Sequence, residues 1–419
     1  MRSALSKNVV GSLFLASSIA LVGIACSDGE AEDNSRPDES RPDASLGERD
    51  ASVEKDASDH DADAAPRTCS VDDVCHTALP ADSFLRDVWS AGDGVIWAVG
   101  FTQHGNRVPT GTVFRWDGST WTVQYEMEAA LFTIWGSSAT DIWIGGEGGL
   151  FHGTGASSAA IGWTKVRSER IASIWGSSAH DVWAVGYSWQ YTLPYQGTVL
   201  HFTGGDGWDV DSLTSRAAAY QKVWGTSESD VWLAAVEDNQ CAGCGGSRGF
   251  VMRRRPDGAG GFTWREDAMP DFGSVGVHSF GSVVTGGASI GDSGASWLFG
   301  FDANQHDAFF RGVPKNDGSG NFGWSQGTFG TCRYTTWERG CLGLWLVQAV
   351  WGKDPNDVYI AGDFGRLRHW DGTSFSLVST TTTKIPLSAS LFAMWGTSST
   401  DLWIVGDRVA LHKVAAGQH

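Results

Sequence analysis

Beyond its first 25 residues this 419-residue chain has no long run of apolar residues at helical spacing, which argues against a helical fold. Charge is scarce at 19% of residues, and the positive side is the shorter, with 30 Lys and Arg against 48 Asp and Glu. The net charge is −18, of which residues 1–26 carry +2 and residues 27–66 carry −10, which leaves −10 on the remainder. A mildly acidic folded part argues against nucleic acid or an anionic membrane surface as its partner. No HExxH and no P-loop pattern occurs, so zinc-peptidase and phosphate-cradling chemistry have no sequence support. Cysteine is sparse, seven in all, and no set of Cys and His has the spacing of a complete metal site. The sequence implies no cofactor and no metal.

Tryptophan and glycine are abundant, 22 and 55 residues. Large aromatic bodies with many Gly turns indicate a β-rich fold. The stretch Ile174–Gly186, IWGSSAHDVWAVG, reads as two short strands joined by a turn whose Ser and Asp side chains bond nearby backbone. It recurs from Val88, Ile134, Val223, Val350 and Met394. In every copy an aromatic residue follows the first Trp by eight positions: Trp89 to Trp97, Trp135 to Trp143, Trp175 to Trp183, Trp224 to Trp232, Trp351 to Tyr359 and Trp395 to Trp403. A third strand with a DG or TG hairpin signal follows, as in TVFRWDG (Thr112–Gly118), and a fourth opens on an aromatic, as at Trp121, Trp163, Trp208, Trp264 and Phe375. Four antiparallel strands per unit, repeated along the chain, describe the blades of a β-propeller.

The long interval between Trp224 and Trp351 hides one degenerate unit, whose inner strand is expected near His278–Ser282. That makes seven blades, with six or eight as alternatives. From Trp89 to Trp395 the spacing averages 51 residues per unit. The last unit stops after three strands, so Cys69–Pro80 is expected to supply its missing outer strand, although that segment lacks the usual Trp.

Arg2 and Lys7 precede an apolar run from Val9 to Ala25, which reads as a signal peptide over residues 1–25. Residues 26–66 then form an acidic tether: positions 27–66 hold 14 acidic and 4 basic residues and too few apolar groups to fold. A flexible coil of that length spans about 35 Å. The propeller occupies 67–419. The remaining cysteines fall as near neighbours, Cys69 and Cys75, Cys241 and Cys244, Cys332 and Cys341, which suits disulfides in an oxidising compartment without fixing their connectivity.

Several groups are candidate site residues. The turn aspartates Asp141, Asp181, Asp230, Asp357 and Asp401 sit two residues before the aromatic and read as turn locks. The third strand carries a basic residue at one equivalent place in every unit: Arg115, His152, His201, Arg253, Arg311, His369 and His412. Such a ring suits a repeating anionic or sugar ligand, but pairing of each with a neighbouring blade's turn or carboxylate is the expectation, since a single His more often completes the structure than forms a site. Trp189, Trp337 and Trp345 lie outside the repeat pattern and are the tryptophans best placed to stack on a ligand. GASIG (Gly287–Gly291) and GDSG (Gly291–Gly294) match hydrolase strings, but a strand-like run follows where a nucleophile elbow needs a helix. No catalytic residue is assigned.

The unit WGxSxxDVWAVG, continued by a HWDG hairpin, resembles secreted bacterial propeller lipoproteins over about residues 83–416, and its DVWAVG portion is similar, more weakly, to tectonin-type propeller lectins. GIAC before an acidic linker resembles a lipoprotein signal, which implies acylation of Cys26 and anchorage to a membrane. The lectin resemblance implies carbohydrate or lipopolysaccharide binding. The expectation is therefore a monomeric, tethered binding module of the bacterial envelope, at the outer membrane or cell surface, taking carbohydrate or another envelope ligand without catalysis. A glycan-active hydrolase or lyase on the same scaffold is one alternative, and a protein scaffold of the envelope the other.

Overall fold

The computed structural model describes residues 68–103, 105, 108–188, 195–205, 207–238, 247–267, 283–301, 307–326 and 347–418. Among them 28 strands form seven four-stranded antiparallel sheets. In blades 1 to 6 the strands follow chain order from the innermost outward. The innermost strands are Ser83–Trp89, Leu131–Ser138, Ser173–Ser178, Ala218–Ser227, Val283–Ile290, Val347–Asp354 and Leu391–Ser398. Each touches the next, and the last touches the first, so the sheets close a seven-bladed ring.

The seventh blade joins the two ends of the described chain. Leu391–Ser398, Asp401–Gly406 and Val409–Lys413 are its inner three strands, and Val74–Thr77 pairs with the third, Val74 opposite Lys413 and Thr77 opposite Ala410. The outer strand thus comes from within Cys69–Pro80. The Cys69–Cys75 disulfide closes the hairpin that carries it. Side chains around the clasp also reach the preceding blade. Ser70 Oγ donates to the Ser379 carbonyl at 2.7 Å, His76 Nε2 to the Thr380 carbonyl at 2.8 Å, and Asp72 Oδ2 accepts from the Ser379 amide at 2.6 Å.

The repeated motif folds as its residues dictate. The first Trp stands opposite the second aromatic in register, Trp175 across from Trp183, with a bulge between Gly176 and Ser178 before the turn to Asp181. Second strands, flanked on both edges and both faces, are buried nearly throughout, as in Asp181–Tyr187. Outer strands such as Trp121–Glu128 are largely exposed. The core is a set of clusters between neighbouring blades. One joins Trp183, Val185 and Val199 of blade 3 to Tyr220, Leu233 and Phe250 of blade 4.

The fifth blade corrects one expectation. Its inner strand is Val283–Ile290, while residues 278–282 lie outside the described residues. Ala288 stands opposite Trp297 in the place of the first Trp, and the turn is one residue longer than elsewhere. GASIG therefore ends a strand, a 3-10 turn spans Gly291–Ser293, and the strand Ala295–Phe301 follows, so no nucleophile elbow exists.

Candidate functional site

The seven basic residues of the third strands occupy one equivalent position, each directly opposite the second aromatic: Arg115 across from Trp97, His152 from Trp143, His201 from Trp183, Arg253 from Trp232, Arg311 from Trp297, His369 from Tyr359 and His412 from Trp403. Five of them bond the turn aspartate of their own blade. His152, His201, His369 and His412 donate from Nε2 to Asp141, Asp181, Asp357 and Asp401 at 2.5, 2.7, 2.7 and 2.8 Å, and Arg253 Nε reaches Asp230 at 2.6 Å. The imidazoles also stack on the aromatics, His201 on Trp183 at 3.7 Å and His152 on Trp143 at 3.8 Å between centroids. The partner carboxylate belongs to the same blade, where a neighbouring blade was expected.

Each aspartate is a node. Asp181 accepts from Ser177 Oγ at 2.5 Å and Trp183 Nε1 at 3.1 Å as well as from His201. Burial pushes its carboxyl up, but the bonds from His201, Ser177 and Trp183 outweigh it and hold the pKa below the ordinary value. The His152 bond does the same at Asp141 against burial. In blades 1 and 5 the aspartate is replaced by Val95 and Ala295, and the basic residue is an arginine. Arg115 turns to Ser158 Oγ at 3.2 Å, and Arg311 packs 4.4 Å from the Trp370 ring.

The second aromatic is capped edge-on by the outer half of the next blade. Trp97 meets Trp163, Trp143 meets Trp208, Trp183 meets Trp264 and Trp403 meets Trp121, at centroid distances of 5.0–6.5 Å.

A groove opens beside the Trp183–Trp264 contact. The outer strand of blade 3 is only Asp209–Val210, after which the chain leaves the sheet in a 3-10 turn, Ser212–Ser215, capped by Asp211. The gap against blade 4 is a cavity of about 380 Å³ lined by Trp183, His201, Asp211, Arg254, Phe262 and Trp264, among others. Trp264 Nε1 donates to Asp211 Oδ2 at 3.2 Å. The Arg254 guanidinium lies 3.7 Å from the Phe262 ring and donates to the Glu228 carbonyl. Burial lowers its pKa, opposed by the charges of Asp181 and Asp211. Phe262 is 39% exposed. The groove thus sets aromatic surface beside a donor and an acceptor in a concave site. Of these groups the sequence singled out Trp183, His201 and Trp264, and only His201 as a candidate ligand contact. The one signal available was the early loss of strand alternation after Val210.

Along the channel edge, side chains tie adjacent blades. Asp87 Oδ2 accepts from the Ile134 amide at 3.0 Å, Thr133 Oγ1 from the Ile174 amide at 3.0 Å and Ser173 Oγ from the Val223 amide at 3.2 Å. Burial raises the Asp87 pKa, opposed first by the charge of Lys222. In blade 7, burial raises the Asp407 carboxyl, Arg86 opposes this, and Asp363 of blade 6 pushes it further up.

Cys26, Trp189, Trp337, Trp345, Cys241, Cys244, Cys332 and Cys341 lie outside the described residues. The strand ends that flank Trp189, the Cys241–Cys244 segment and the Cys332–Cys341 segment all fall on one face of the ring, opposite the tight motif turns, because strands alternate in direction within each blade. Among the described residues no group of three or more His, Cys, Asp or Glu is placed to hold a metal ion, and no helix is long and apolar enough to cross a membrane.

No family model and no curated protein matches the chain. Among solved structures, YCF48 from Cyanidioschyzon merolae is 12% identical, with a TM-score of 0.53 over 81% of this chain and 98% of that one. Virginiamycin B lyase from Staphylococcus aureus is 14% identical, with a TM-score of 0.54 over 81% and 97%. The extracellular domain of a one-component system protein from B. thetaiotaomicron is 12% identical, with a TM-score of 0.54 over 81% of this chain and 40% of that one. At such identities the likeness establishes a shared propeller scaffold.

Proposed function

We propose that this chain is an extracytoplasmic binding module, anchored through Cys26 and its acidic tether to a bacterial envelope membrane, that recognises a carbohydrate without turning it over. The observation that carries this reading is the groove between blades 3 and 4, with Phe262 and Trp264 as aromatic walls, Arg254 as donor and Asp211 as acceptor. The Cys69–Cys75 disulfide supports an oxidising compartment. The four paired histidines serve the frame, and His201 alone among them borders the groove.

The test is binding of the full purified chain to a panel of envelope polysaccharides, with turnover followed in parallel. Arg254→Ala and Phe262→Ala change side chains at the groove rim, so each is expected to weaken binding at least tenfold with an unchanged melting temperature. Binding that both variants retain would refute the groove as the site. Mass spectrometry of the membrane fraction checks the anchor: absence of diacylglycerol on Cys26 would remove it.

A hydrolase or lyase reading rests on Asp407, whose raised carboxyl stands beside Arg86 and feels a second carboxylate, Asp363, from another blade. One structural neighbour is a lyase. Turnover abolished by Asp407→Asn would favour this reading over simple binding.

A further inference from the structure

Six of the seven inner strands carry a tryptophan at the same place: Trp89, Trp135, Trp175, Trp224, Trp351 and Trp395. In the first three junctions the indole lies against the glycine that follows the next blade's tryptophan. A Cβ added to Gly136 would come within 2.5 Å of Trp89, to Gly176 within 2.7 Å of Trp135, and to Gly225 within 2.7 Å of Trp175. The WG pair of the motif is thus a contact between blades, with glycine required because an indole occupies the space a side chain would need.

This order breaks at blade 5. Ala288 holds the tryptophan place and Ser289 the glycine place. Trp224 shifts to lie over Gly287, donates Nε1 to Ser296 Oγ at 3.2 Å and is 4% exposed. Gly352 would be covered by an indole from position 288, but its nearest neighbour from blade 5 is the Ile290 Cγ2 methyl, at 3.2 Å from an added Cβ. At the next junction the atoms nearest an added Cβ on Gly396 belong to Asp401 and Leu402, so Trp351 stands farther off its glycine than the first three indoles do. The Ile290 methyl thus fills the place over Gly352, and beside it, between blades 5, 6 and 7, lies a cavity of about 600 Å³ lined by Gly291, Trp351, Gly352, Lys353, Asp354 and Gly396, among others. Lys353 is exposed, and its ammonium spends one hydrogen on the Thr397 carbonyl at 3.1 Å, leaving two.

We propose that this cavity is a binding site for a planar aromatic ring, taken up beside Trp351 at the junction next to the blade that lacks its motif tryptophan, with the Lys353 ammonium receiving an anionic substituent. The site is independent of the sugar reading and shares no residue with the groove between blades 3 and 4. Stacking against Trp351 supplies the attraction, and Lys353 supplies selectivity.

The experiment uses the full chain with indole and indole-3-acetate as probes, read by ligand-observed NMR. Saturable binding of both is expected, with indole-3-acetate severalfold tighter. Ala288→Trp restores the missing indole from within. It should weaken both probes at least tenfold and leave the melting temperature equal or higher. Lys353→Trp, at an exposed rim position remote from the core, should block the entrance with the same loss, and decides the matter if Ala288→Trp does not fold. Absence of saturable binding to the wild type, or undiminished binding to a folded variant, would overturn the site. Equal affinity for the two probes would overturn the role of Lys353.

Discussion

The strongest quantitative expectation concerns the aspartate nodes, because the same constellation occurs at graded burial. Asp181 is 10% exposed and Asp401 41% exposed at the side chain. Asp181 accepts three side-chain hydrogen bonds, from Ser177, Trp183 and His201, whereas Asp401 accepts two, from Thr397 and His412. A hydrogen bond contributes about 1 kcal/mol net, and a donor stranded away from water costs about 1–3 kcal/mol. Asp181→Ala leaves a buried indole N–H and a half-buried imidazole without acceptors, and should cost about 3 kcal/mol. Asp401→Ala exposes its donors to water and should cost about 1 kcal/mol. The assay is urea unfolding, comparing midpoints at constant slope. Equal losses at the two sites, or a loss below about 1 kcal/mol at Asp181, would refute the claim that burial of the node sets its contribution. A double-mutant cycle of Asp181→Ala with His201→Ala should show coupling, since the two share one bond.

Two further outcomes are expected. Replacing both Cys69 and Cys75 with Ser opens a loop of sequence separation 6, which by chain entropy lowers stability by about 2 kcal/mol; hydrogen exchange should accelerate first at Val74–Thr77, and uniform acceleration around the ring would contradict a local clasp. Thermal stability should hold level or rise slightly from pH 7 towards 5 and then fall below about 4. Asp141 and Asp181 have lowered folded pKa values, so their contribution is present above the unfolded value of about 3.9 and is lost as pH falls through the folded one, while the raised carboxyls of Asp87, Asp267 and Asp407 act in the opposite sense at higher pH. A melting temperature that climbs steadily down to pH 3 would refute the assignment.

The blade count was legible because the motif spells out a register. An aromatic eight residues after the first Trp, across a tight turn, lands opposite it, and that distance is fixed by the turn alone. The repeat reveals the fifth blade but puts its inner strand too early, because its turn is one residue longer and Ala288 stands in for the first Trp: Ala288 and Trp297 are nine apart. The basic ring was visible as a list of residues, but its partners were not. His152 and Asp141 are 11 residues apart and His201 and Asp181 are 20, because a loop of variable length separates strands that lie side by side. Only the pairing register shows that the carboxylate belongs to the same blade. The groove between blades 3 and 4 depends on where an outer strand stops, and Asp211, Arg254 and Phe262 meet there from segments without a shared motif.

The junction between blades 6 and 7 explains why the closing segment could do without a tryptophan. Elsewhere the second aromatic meets an aromatic from the outer half of the next blade. Blade 7 takes its outer strand from Val74–Thr77, VCHT, which offers none. The facing residue is Tyr359, where the other five motif units and the fifth blade place Trp, and its surroundings are Val74, Val378, Leu391, Leu402 and Leu411. Burial, reinforced by the charges of Asp357 and Asp72, pushes the Tyr359 hydroxyl up to about 12. Both departures from the repeat therefore fall on the same interface, and each makes sense of the other: a smaller ring faces an aliphatic strand. Less aromatic surface is buried there, and the polar bonds of Ser70, Asp72 and His76 to Ser379 and Thr380, with the Cys69–Cys75 link, hold the strand that closes the ring. Closing a ring through residues more than 300 positions apart carries the largest loop entropy in the fold, so it is at this junction that directional bonds and a covalent link do most to offset it.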